Sequence, residues 1–239
     1  MTAFYADGFG DRLVAPDLLP PAVLRLLAAE ATLLDAATPT FDVLVEVGSM
    51  YGLHLDWSAA SGKRYVGIDI VARYIKLGRD SVRSRGLDEK NYQLIEADAK
   101  DLDAVPLPNG RPLALYPFNS FGNMAEPGRV LDALARAGMP FAISSYGTDN
   151  RATFDRLEYY EACGYRNIVV AEDDQCVRFT AAEGLNTVAY HPELMTQWLV
   201  ERGLAVRTHR FAGFGLFYAA SDLRLDPAAS SVTRNVFPL

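Results

Sequence analysis

The sequence is poor in several features that mark particular classes of protein. Its 239 residues include two cysteines, Cys163 and Cys176, too few for a disulfide framework or a zinc cluster. No stretch approaches the roughly 20 consecutive apolar residues that span a bilayer. Residues Met1–Arg12 lack the basic stretch and apolar run of a secretory signal. We therefore expect a soluble, cytoplasmic protein with reduced thiols and no membrane contact.

Basic residues are also scarce. The chain has 23 Lys and Arg against 30 Asp and Glu, a formal net charge of −7, and no dense basic run. This balance gives no global attraction to nucleic acid, and we expect none as a partner. Hydrophobic residues make up 50% of the chain and charged residues 22%, as is usual for a globular protein. The length suits one domain with a substantial core.

The pattern of apolar residues changes near residue 40. Before it, Ala22–Leu34 has apolar residues at helical spacing, and Pro39 ends that segment. After it, short apolar strands alternate with amphipathic helices, which predicts βαβ units and a parallel sheet covered by helices on both faces. The predicted strands are Phe41–Val47, Tyr65–Ile70, Tyr92–Glu96, Pro112–Pro117 and Phe141–Ser145. The predicted helices are Gly52–Ala60, Ala72–Arg85, Glu126–Ala137 and Asn150–Ala162.

The alternation stops after about residue 165. Three short strands follow without helices between them, Asn167–Ala171, Cys176–Ala181 and Asn186–Tyr190, and we interpret them as a small antiparallel insert. A helix at Pro192–Arg202 precedes two strands, Leu204–Phe211 and Phe214–Ala220, whose connection Ala212-Gly213 is typical of a tight hairpin. Exposed edge strands in the insert make a homodimer plausible.

These elements predict a single α/β domain over 1–239. We expect a three-layer, doubly wound, mostly parallel seven-stranded sheet that ends in an antiparallel hairpin. Residues 1–40 would form a helical lid, 41–165 the core, 166–191 the β insert, and 192–239 the final helix and hairpin.

A glycine turn follows the first predicted strand. Glu46 stands near the end of that strand, and Gly48 and Gly52 lie four residues apart behind it. Glycine permits a tight turn and close approach of a ligand to the backbone. Positions 48, 50 and 53 are Gly, Met and Leu, so the Gly-x-Gly-x-x-Gly pattern of dinucleotide-binding proteins is absent, as is a phosphate-binding P-loop.

Acidic residues follow the next two strands. Asp69 ends the second strand, 21 residues after Gly48, where a carboxylate can accept hydrogen bonds from ribose hydroxyls. Asp98 lies just past the third strand, where it can accept the exocyclic amine of an adenine. Because parallel strands end at one edge of a sheet, we expect Glu46, Asp69 and Asp98 to meet in one crevice.

The turn and the two acids together resemble the class I S-adenosylmethionine-dependent methyltransferase family, over roughly Phe41–Ser145. Glu46, Gly48 and Gly52 match the family's acid-x-Gly-x-Gly-x-Gly pattern, and Met50 replaces the middle glycine. The resemblance implies S-adenosylmethionine as cofactor and S-adenosylhomocysteine as product. It implies that Asp69 holds the ribose, that Asp98 and Ala97 hold the adenine, and that Glu46 and Gly48 line the methionine part. The cofactor contacts implied are Tyr5, Glu46, Gly48, Ser49, Gly52, Asp69, Ile70, Ala97, Asp98, Ala99, Phe118 and Asn119.

The segment after the fourth strand bears on the acceptor. Its Asn119-Ser120-Phe121-Gly122 run resembles the same segment of small-molecule methyltransferases that act on amines or hydroxyls. The Asp/Asn-Pro-Pro-Tyr/Phe tetrad of many nucleic-acid and glutamine methyltransferases is absent. We therefore expect methyl transfer to an amine or hydroxyl of a small molecule. A peptide or protein acceptor, and a cofactor-binding module without activity, remain alternatives.

Three residues are candidates for contact with the acceptor or for proton transfer. His191 precedes the final helix, Tyr146 follows the fifth strand, and Asn119 follows the fourth. His54 and His209 fit packing roles better. We expect no metal, because Tyr116–Asn119 offers none of the acids that bind magnesium in the catechol type of methyltransferase.

Overall fold

The computed structural model describes residues 2–223. Met1 and residues 224–239, which include the end of the predicted segment 192–239, lie outside the described residues. The strands are β1 Val43–Val47, β2 Arg64–Asp69, β3 Tyr92–Glu96, β4 Pro112–Tyr116, β5 Phe141–Tyr146, β6 Val169–Glu172, β7 Cys176–Thr180, β8 Asn186–Tyr190, β9 Val206–Phe211 and β10 Gly215–Ala220. The α-helices are α1 Thr2–Ala6, α2 Pro21–Ala37, α3 Leu55–Ala60, α4 Ala72–Ser84, α5 Pro127–Ala137, α6 Asn150–Ala162 and α7 Pro192–Glu201.

Seven strands form the central sheet in the order β3-β2-β1-β4-β5-β10-β9. The first five are parallel, and β10 runs antiparallel to both of its neighbours. The chain winds outward from β1 in one direction and through β4 and β5 in the other, so right-handed crossovers put the connecting helices on opposite faces. The predicted mostly parallel sheet with an antiparallel ending is confirmed.

The terminal hairpin follows from its two turn residues. Ala212 and Gly213 both have positive φ, 53° and 84°. Two consecutive left-handed residues twist the connection in the sense that suits antiparallel strands. The turn therefore reverses the chain direction, and β10 pairs with β9 on one side and with β5 on the other.

The N-terminal segment and the insert pack together over the carboxyl edge of the parallel strands. The insert is a separate sheet in the order β6-β7-β8, as predicted. Phe4, Leu13 and Val14 share a buried cluster with Phe179 of β7 and Leu185 before β8. All four residues of the edge strand β6 are exposed.

Some element boundaries differ from those predicted. The helix expected from Gly52 begins at Leu55, because Gly52 has φ 101° and belongs to the preceding turn. The first insert strand begins at Val169 rather than Asn167, since Asn167 has φ 53°, which breaks an extended run. Asp149 caps α6: its carboxylate accepts a hydrogen bond from the Ala152 amide at 3.0 Å.

No helix within residues 2–223 is long and apolar enough to cross a membrane.

The close contact of Gly122 with β8 generates the first prediction. A Cβ at this position would lie 1.9 Å from the Val188 carbonyl oxygen and 2.5 Å from Asn119 Nδ2. We expect Gly122→Ala to lower the free energy of unfolding by about 3 kcal/mol, because backbone must move to admit the methyl group. Urea unfolding followed by circular dichroism measures the effect.

Gly128→Ala is the matched control. In α5, the nearest atom to its Cβ would be Nη2 at the far end of the Arg202 side chain, 3.2 Å away, and alanine favours a helix over glycine. We expect unchanged or slightly greater stability. Equal unfolding free energies for the two variants would contradict the packing described for Gly122.

Candidate functional site

One large pocket opens at the carboxyl ends of β1, β2, β3 and β4. It encloses about 1150 Å³, including its open mouth. The strand order changes direction between β1 and β4, which is where open α/β sheets bind ligands. The lining residues come from the strand ends, the N-terminal segment, α6 and the insert.

The glycine turn after β1 forms the floor of the pocket. The Gly48 and Ser49 amides both donate to the Ile68 carbonyl, at 2.8 and 3.0 Å. Gly48 has φ 76°, and a Cβ there would lie 2.8 Å from Ser120 Cβ. The position therefore requires glycine both for its conformation and for its contact with the segment after β4.

Met50 occupies the position where the family pattern has a glycine. It adopts the left-handed conformation, with φ 49°, and its side chain lines the pocket. Its amide donates to Asp69 Oδ2 at 2.8 Å. This bond to a carboxylate helps to hold a conformation that methionine rarely adopts.

Asp69 connects the ends of β1 and β2. Besides the Met50 amide, it accepts the Val71 amide at 2.9 Å on Oδ1. The residue is 9% exposed, and this burial raises the pKa of its carboxyl group to about 6 in spite of the two amides. The next residue, Ile70, is 51% exposed at the pocket mouth and offers an apolar surface to a flat ring.

The end of β3 completes this side of the pocket. Ala97, Asp98 and Ala99 line it, and the Ala97 amide donates to the Asp69 carbonyl at 3.1 Å. Asp98 Oδ1 accepts the Lys100 amide at 3.0 Å, and Lys100 Nζ lies 3.3 Å from Oδ2. The ends of β2 and β3 are therefore adjacent, as the sequence predicted.

Two consecutive residues after β4 are in the left-handed conformation. Phe118 has φ 46° and Asn119 φ 57°, and both line the pocket. The Phe118 amide donates to Glu30 Oε1 at 2.8 Å, and the Asn119 amide donates to the Ser144 carbonyl at 3.1 Å. Strained backbone of this kind persists where its surroundings hold it, and it is common at functional sites.

The Asn119 side chain is fixed by its own contacts. Its Nδ2 donates to the Val188 carbonyl at 3.0 Å, and its Oδ1 accepts from Ser145 Oγ at 2.9 Å. The side-chain amide group of Asn119 thus joins the segment after β4 to both β5 and β8. Within the pocket, Asn119 holds the wall in place.

Aromatic residues form the inner end of the pocket, which we call the aromatic chamber. Its rings come from four parts of the chain, and its members are Tyr5, Phe118, Tyr146, Tyr159 and Tyr160. Tyr146 stacks on Phe214 with ring centroids 5.6 Å apart, and Phe118 lies 6.2 Å from Tyr146. Leu13 and Val14 from the N-terminal segment and Leu185 and Thr187 from the insert complete the wall.

His191 lies outside the pocket wall, and we drop it from the candidate catalytic residues. Its Nδ1 is 3.0 Å from Thr148 Oγ1, and its Nε2 is 2.9 Å from the Asp173 carbonyl oxygen. Both ring nitrogens are therefore engaged in joining the β6–β7 turn to the loop after β5. The other two candidates, Tyr146 and Asn119, do line the pocket.

Three of the expected cofactor contacts lie behind the pocket surface rather than on it: Glu46, Ser49 and Gly52. Glu46 and Ser49 are fully buried, and both oxygens of the Glu46 carboxylate are engaged with His54 and Tyr65. We therefore correct the role of Glu46 from ligand contact to support of the turn. The remaining expected contacts, Tyr5, Gly48, Asp69, Ile70, Ala97, Asp98, Ala99, Phe118 and Asn119, line one pocket.

A buried network of ionisable groups lies beneath the pocket. His54 is fully buried, with Nδ1 2.6 Å from Glu46 Oε1 and Nε2 3.6 Å from Glu30 Oε2. The Tyr65 hydroxyl donates to the other oxygen of Glu46, and Ser144 donates to Glu30. Burial alone lowers the pKa of His54, but Glu46 and Glu30 outweigh it and raise that pKa above its usual value. Burial raises the pKa of Glu30.

Sequence reasoning missed Glu30, although α2 carries a signal for it. The buried residues Val23, Leu26, Leu27, Ala31 and Leu34 form one helical stripe, and Glu30 falls within that stripe at 1% exposure. An acid in the buried stripe of an amphipathic helix needs a partner. The sequence could not reveal that the partners are His54, Ser144 and the Phe118 amide.

Comparisons with known proteins support the same fold. Neither a family model nor a curated protein matches the sequence. A Burkholderia thailandensis 1,6-didemethyltoxoflavin-N1-methyltransferase, solved with 1,6-didemethyltoxoflavin and S-adenosylhomocysteine bound, is similar with a TM-score of 0.55 at 11% identity, over 83% of this chain and 80% of that one. An Aquifex aeolicus SAM-dependent methyltransferase gives 0.54 at 17% identity, over 88% and 96%. Streptomyces venezuelae DesVI gives 0.52 at 16% identity, over 82% and 92%.

At sequence identities this low, the similarity to these solved structures shows the fold alone. The chain has the fold of the class I S-adenosylmethionine-dependent methyltransferases, with the strand order and terminal hairpin described above. The seven-stranded α/β fold predicted from the alternation of strands and helices is confirmed.

The buried network generates the second prediction. We expect His54→Gln to lower the free energy of unfolding by roughly 3–5 kcal/mol, because glutamine leaves Glu30 and Glu46 buried without a cation between them. His209→Gln, the same change at a half-buried position on β9, serves as control and should alter stability little. Thermal unfolding of the three proteins at pH 7 checks this, and similar stabilities for all three would contradict the role assigned to His54.

Proposed function

We propose that the protein transfers a methyl group from S-adenosylmethionine to an amine or hydroxyl of a small molecule. The proposal rests mainly on one observation: a single pocket joins the ends of β1, β2 and β3 to the aromatic chamber. One end has the groups that suit a nucleoside, and the other has an enclosed apolar space for a second molecule.

The residues at the strand ends fit the cofactor. The Asp69 carboxylate reaches the pocket surface, where it can accept two ribose hydroxyls. Ile70 would cover one face of the adenine, while Asp98 and Ala97 would meet its edge. Gly48, which has no room for a side chain, would allow the methionine part to approach the backbone.

When bound, S-adenosylmethionine supplies an electrophilic methyl group on a positively charged sulfur. The chain's own part is then to orient the acceptor and exclude water. Phe118, Tyr146 and Tyr159 would enclose the acceptor, and Leu13 and Val14 would shield it from solvent. Asn119 would keep the backbone after β4 at a fixed distance from the acceptor, since its side chain is anchored to β5 and β8.

The enclosed chamber favours a small molecule over a peptide. A protein acceptor needs an open crevice that admits a continuous backbone, whereas the N-terminal segment and the insert both line this pocket. Incubation of a metabolite extract with the protein and isotopically labelled donor, followed by mass spectrometry, would identify acceptor and methylated atom together. Donor binding without a labelled product in any extract would favour a cofactor-binding module instead.

Asp69 is the residue on which cofactor binding should depend most. We expect Asp69→Ala to weaken S-adenosylhomocysteine binding by about a hundredfold, because two hydrogen bonds to a charged group contribute roughly 3 kcal/mol together. Isothermal titration calorimetry measures the change. Asp80→Ala, which removes an exposed acid from α4, should bind as the wild type does. Unchanged affinity in a folded Asp69→Ala protein would refute the role of Asp69.

The raised pKa of Asp69 predicts a pH dependence. The ionised carboxylate is the better acceptor for ribose hydroxyls, so the binding constant should be level above the pKa of about 6. Below it, protonation removes the acceptor, and affinity should fall by about tenfold per pH unit. The Asp69→Asn variant should bind weakly at every pH, with no break near 6. A break of the same size in that variant would assign the titration to another group.

A further inference from the structure

A fully buried arginine lies behind the wall of the aromatic chamber. The guanidinium carbon of Arg156, in α6, lies 4.4 Å from the Phe179 ring centroid, 4.9 Å from that of Tyr146 and 5.9 Å from that of Tyr160. Nη1 donates to the Val177 carbonyl at 3.3 Å, and Nε and Nη2 have no hydrogen-bond partner. Ring faces offset part of the cost of burying this charge.

No described carboxylate forms a salt bridge with Arg156. Its sequence neighbour Asp155 pairs with Arg151 instead. Glu30 is an acid that raises the pKa of Tyr146, and its own contacts are Ser144, the Phe118 amide and His54. The positive charge of Arg156 is therefore offset by ring faces and the Val177 carbonyl rather than by a salt bridge with a described carboxylate. Since Tyr146 and Tyr160 line the pocket, this charge lies one ring away from the chamber.

The chamber also has no general base. Apart from tyrosines, the ionisable side chains among the described residues that line the pocket are Asp69, Asp98 and Lys100, all beside the ends of β2 and β3. Burial raises the pKa values of the chamber residues Tyr5, Tyr146 and Tyr159, so their hydroxyls stay protonated near neutral pH and do not serve as bases, and the Tyr159 hydroxyl donates to the Leu13 carbonyl. An acceptor that must lose a proton has no carboxylate or imidazole in the chamber to take it.

Both observations point to the same chemistry, and the inference rests on the proposed function. We infer that the acceptor is a small molecule with an acidic hydroxyl, a phenol or an enol, which the chamber binds as its oxyanion. Arg156 would stabilise that negative charge through the field it exerts past Tyr146 and Tyr160, as a specificity-determining residue that does not touch the acceptor. A neutral amine would gain nothing from this field, and an ammonium group would be repelled.

The transfer step then balances without a proton acceptor on the protein. The hydroxyl proton leaves to solvent as the acceptor binds. The oxyanion supplies the electron pair of the new oxygen–carbon bond, and the bond from the methyl carbon to the donor's sulfur breaks with its pair kept by the sulfur. The products are a methyl ether and S-adenosylhomocysteine.

Binding of a matched pair of probes tests the inference without measuring turnover. We use 4-nitrophenol and 4-nitroaniline, which have nearly the same size and shape, with protein saturated by S-adenosylhomocysteine. The wild type should bind ionised 4-nitrophenol at least about tenfold more tightly than 4-nitroaniline. Absorbance titration should also show the pKa of bound 4-nitrophenol lower than that of the free compound.

Variants of Arg156 assign the preference to its charge. Arg156→Met should abolish both the preference and the lowered pKa of the bound probe, and Arg156→Lys should keep much of both. Both variants should bind S-adenosylhomocysteine as the wild type does, because Arg156 lies away from the strand ends. Should Arg156→Met fail to fold, the absorbance titration of the wild type still decides whether the chamber favours the oxyanion.

The outcomes separate the two proposals. If the cofactor product binds but the wild type shows no preference for the phenolate, or binds neither probe, the oxyanion inference is wrong and the proposed methyl transfer stands. A preference that survives in folded Arg156→Met also overturns the role of Arg156. Failure of S-adenosylhomocysteine to bind the wild type would instead contradict the proposed function itself.

Discussion

The site depends on the pairing of buried His54 with Glu46 on one side and Glu30 on the other. Removing three ionisable groups from water is costly, and only mutual attraction and further hydrogen bonds offset that cost. The pairing joins α2 to the end of β1. Through Tyr65, Ser144 and the Phe118 amide it also reaches β2, β5 and the segment after β4. The floor and the wall of the pocket therefore share one support.

Buried acids, Glu30 of this network and Asp69 outside it, also hold strained backbone at the pocket. Met50, Phe118 and Asn119 all adopt left-handed conformations without being glycine. The Met50 amide donates to the Asp69 side chain and the Phe118 amide to the Glu30 side chain, and both hydrogen bonds favour the observed geometry. Buried acids thus compensate for the unfavourable φ values at the places where a ligand would meet the chain.

The pocket is divided between two kinds of surface. The strand ends carry the Asp69 and Asp98 carboxylates and the exposed side chain of Ile70. The rings of the aromatic chamber come from α1, the segment after β4, the end of β5 and α6, and residues of the N-terminal segment and the insert complete its wall. On the proposed function, the chamber side chains would select the acceptor, and the strand ends would bind the cofactor. Arg156 of α6 lies behind the wall of the chamber.

Much of the fold could be predicted because its signals are local. Alternating apolar strands and amphipathic helices identified the parallel sheet, and Ala212-Gly213 identified the hairpin, since backbone conformation there depends on two residues. The predictions erred at boundaries such as Gly52 and Asn167, where a single left-handed residue ends an element.

For the site, the sequence by itself determined the positions at the strand ends. Parallel strands bring Gly48, Asp69, Ala97 and Asp98 to one edge wherever the rest of the chain lies. Only the tertiary structure decided that Glu46 supports the turn from beneath, that His191 joins two loops, and that Glu30 and Arg156 lie behind the pocket wall. Their roles depend on partners up to 114 residues away, as in the bond between Ser144 and Glu30. Burial among such partners, rather than spacing along the chain, sets the charge and the hydrogen bonds of a side chain.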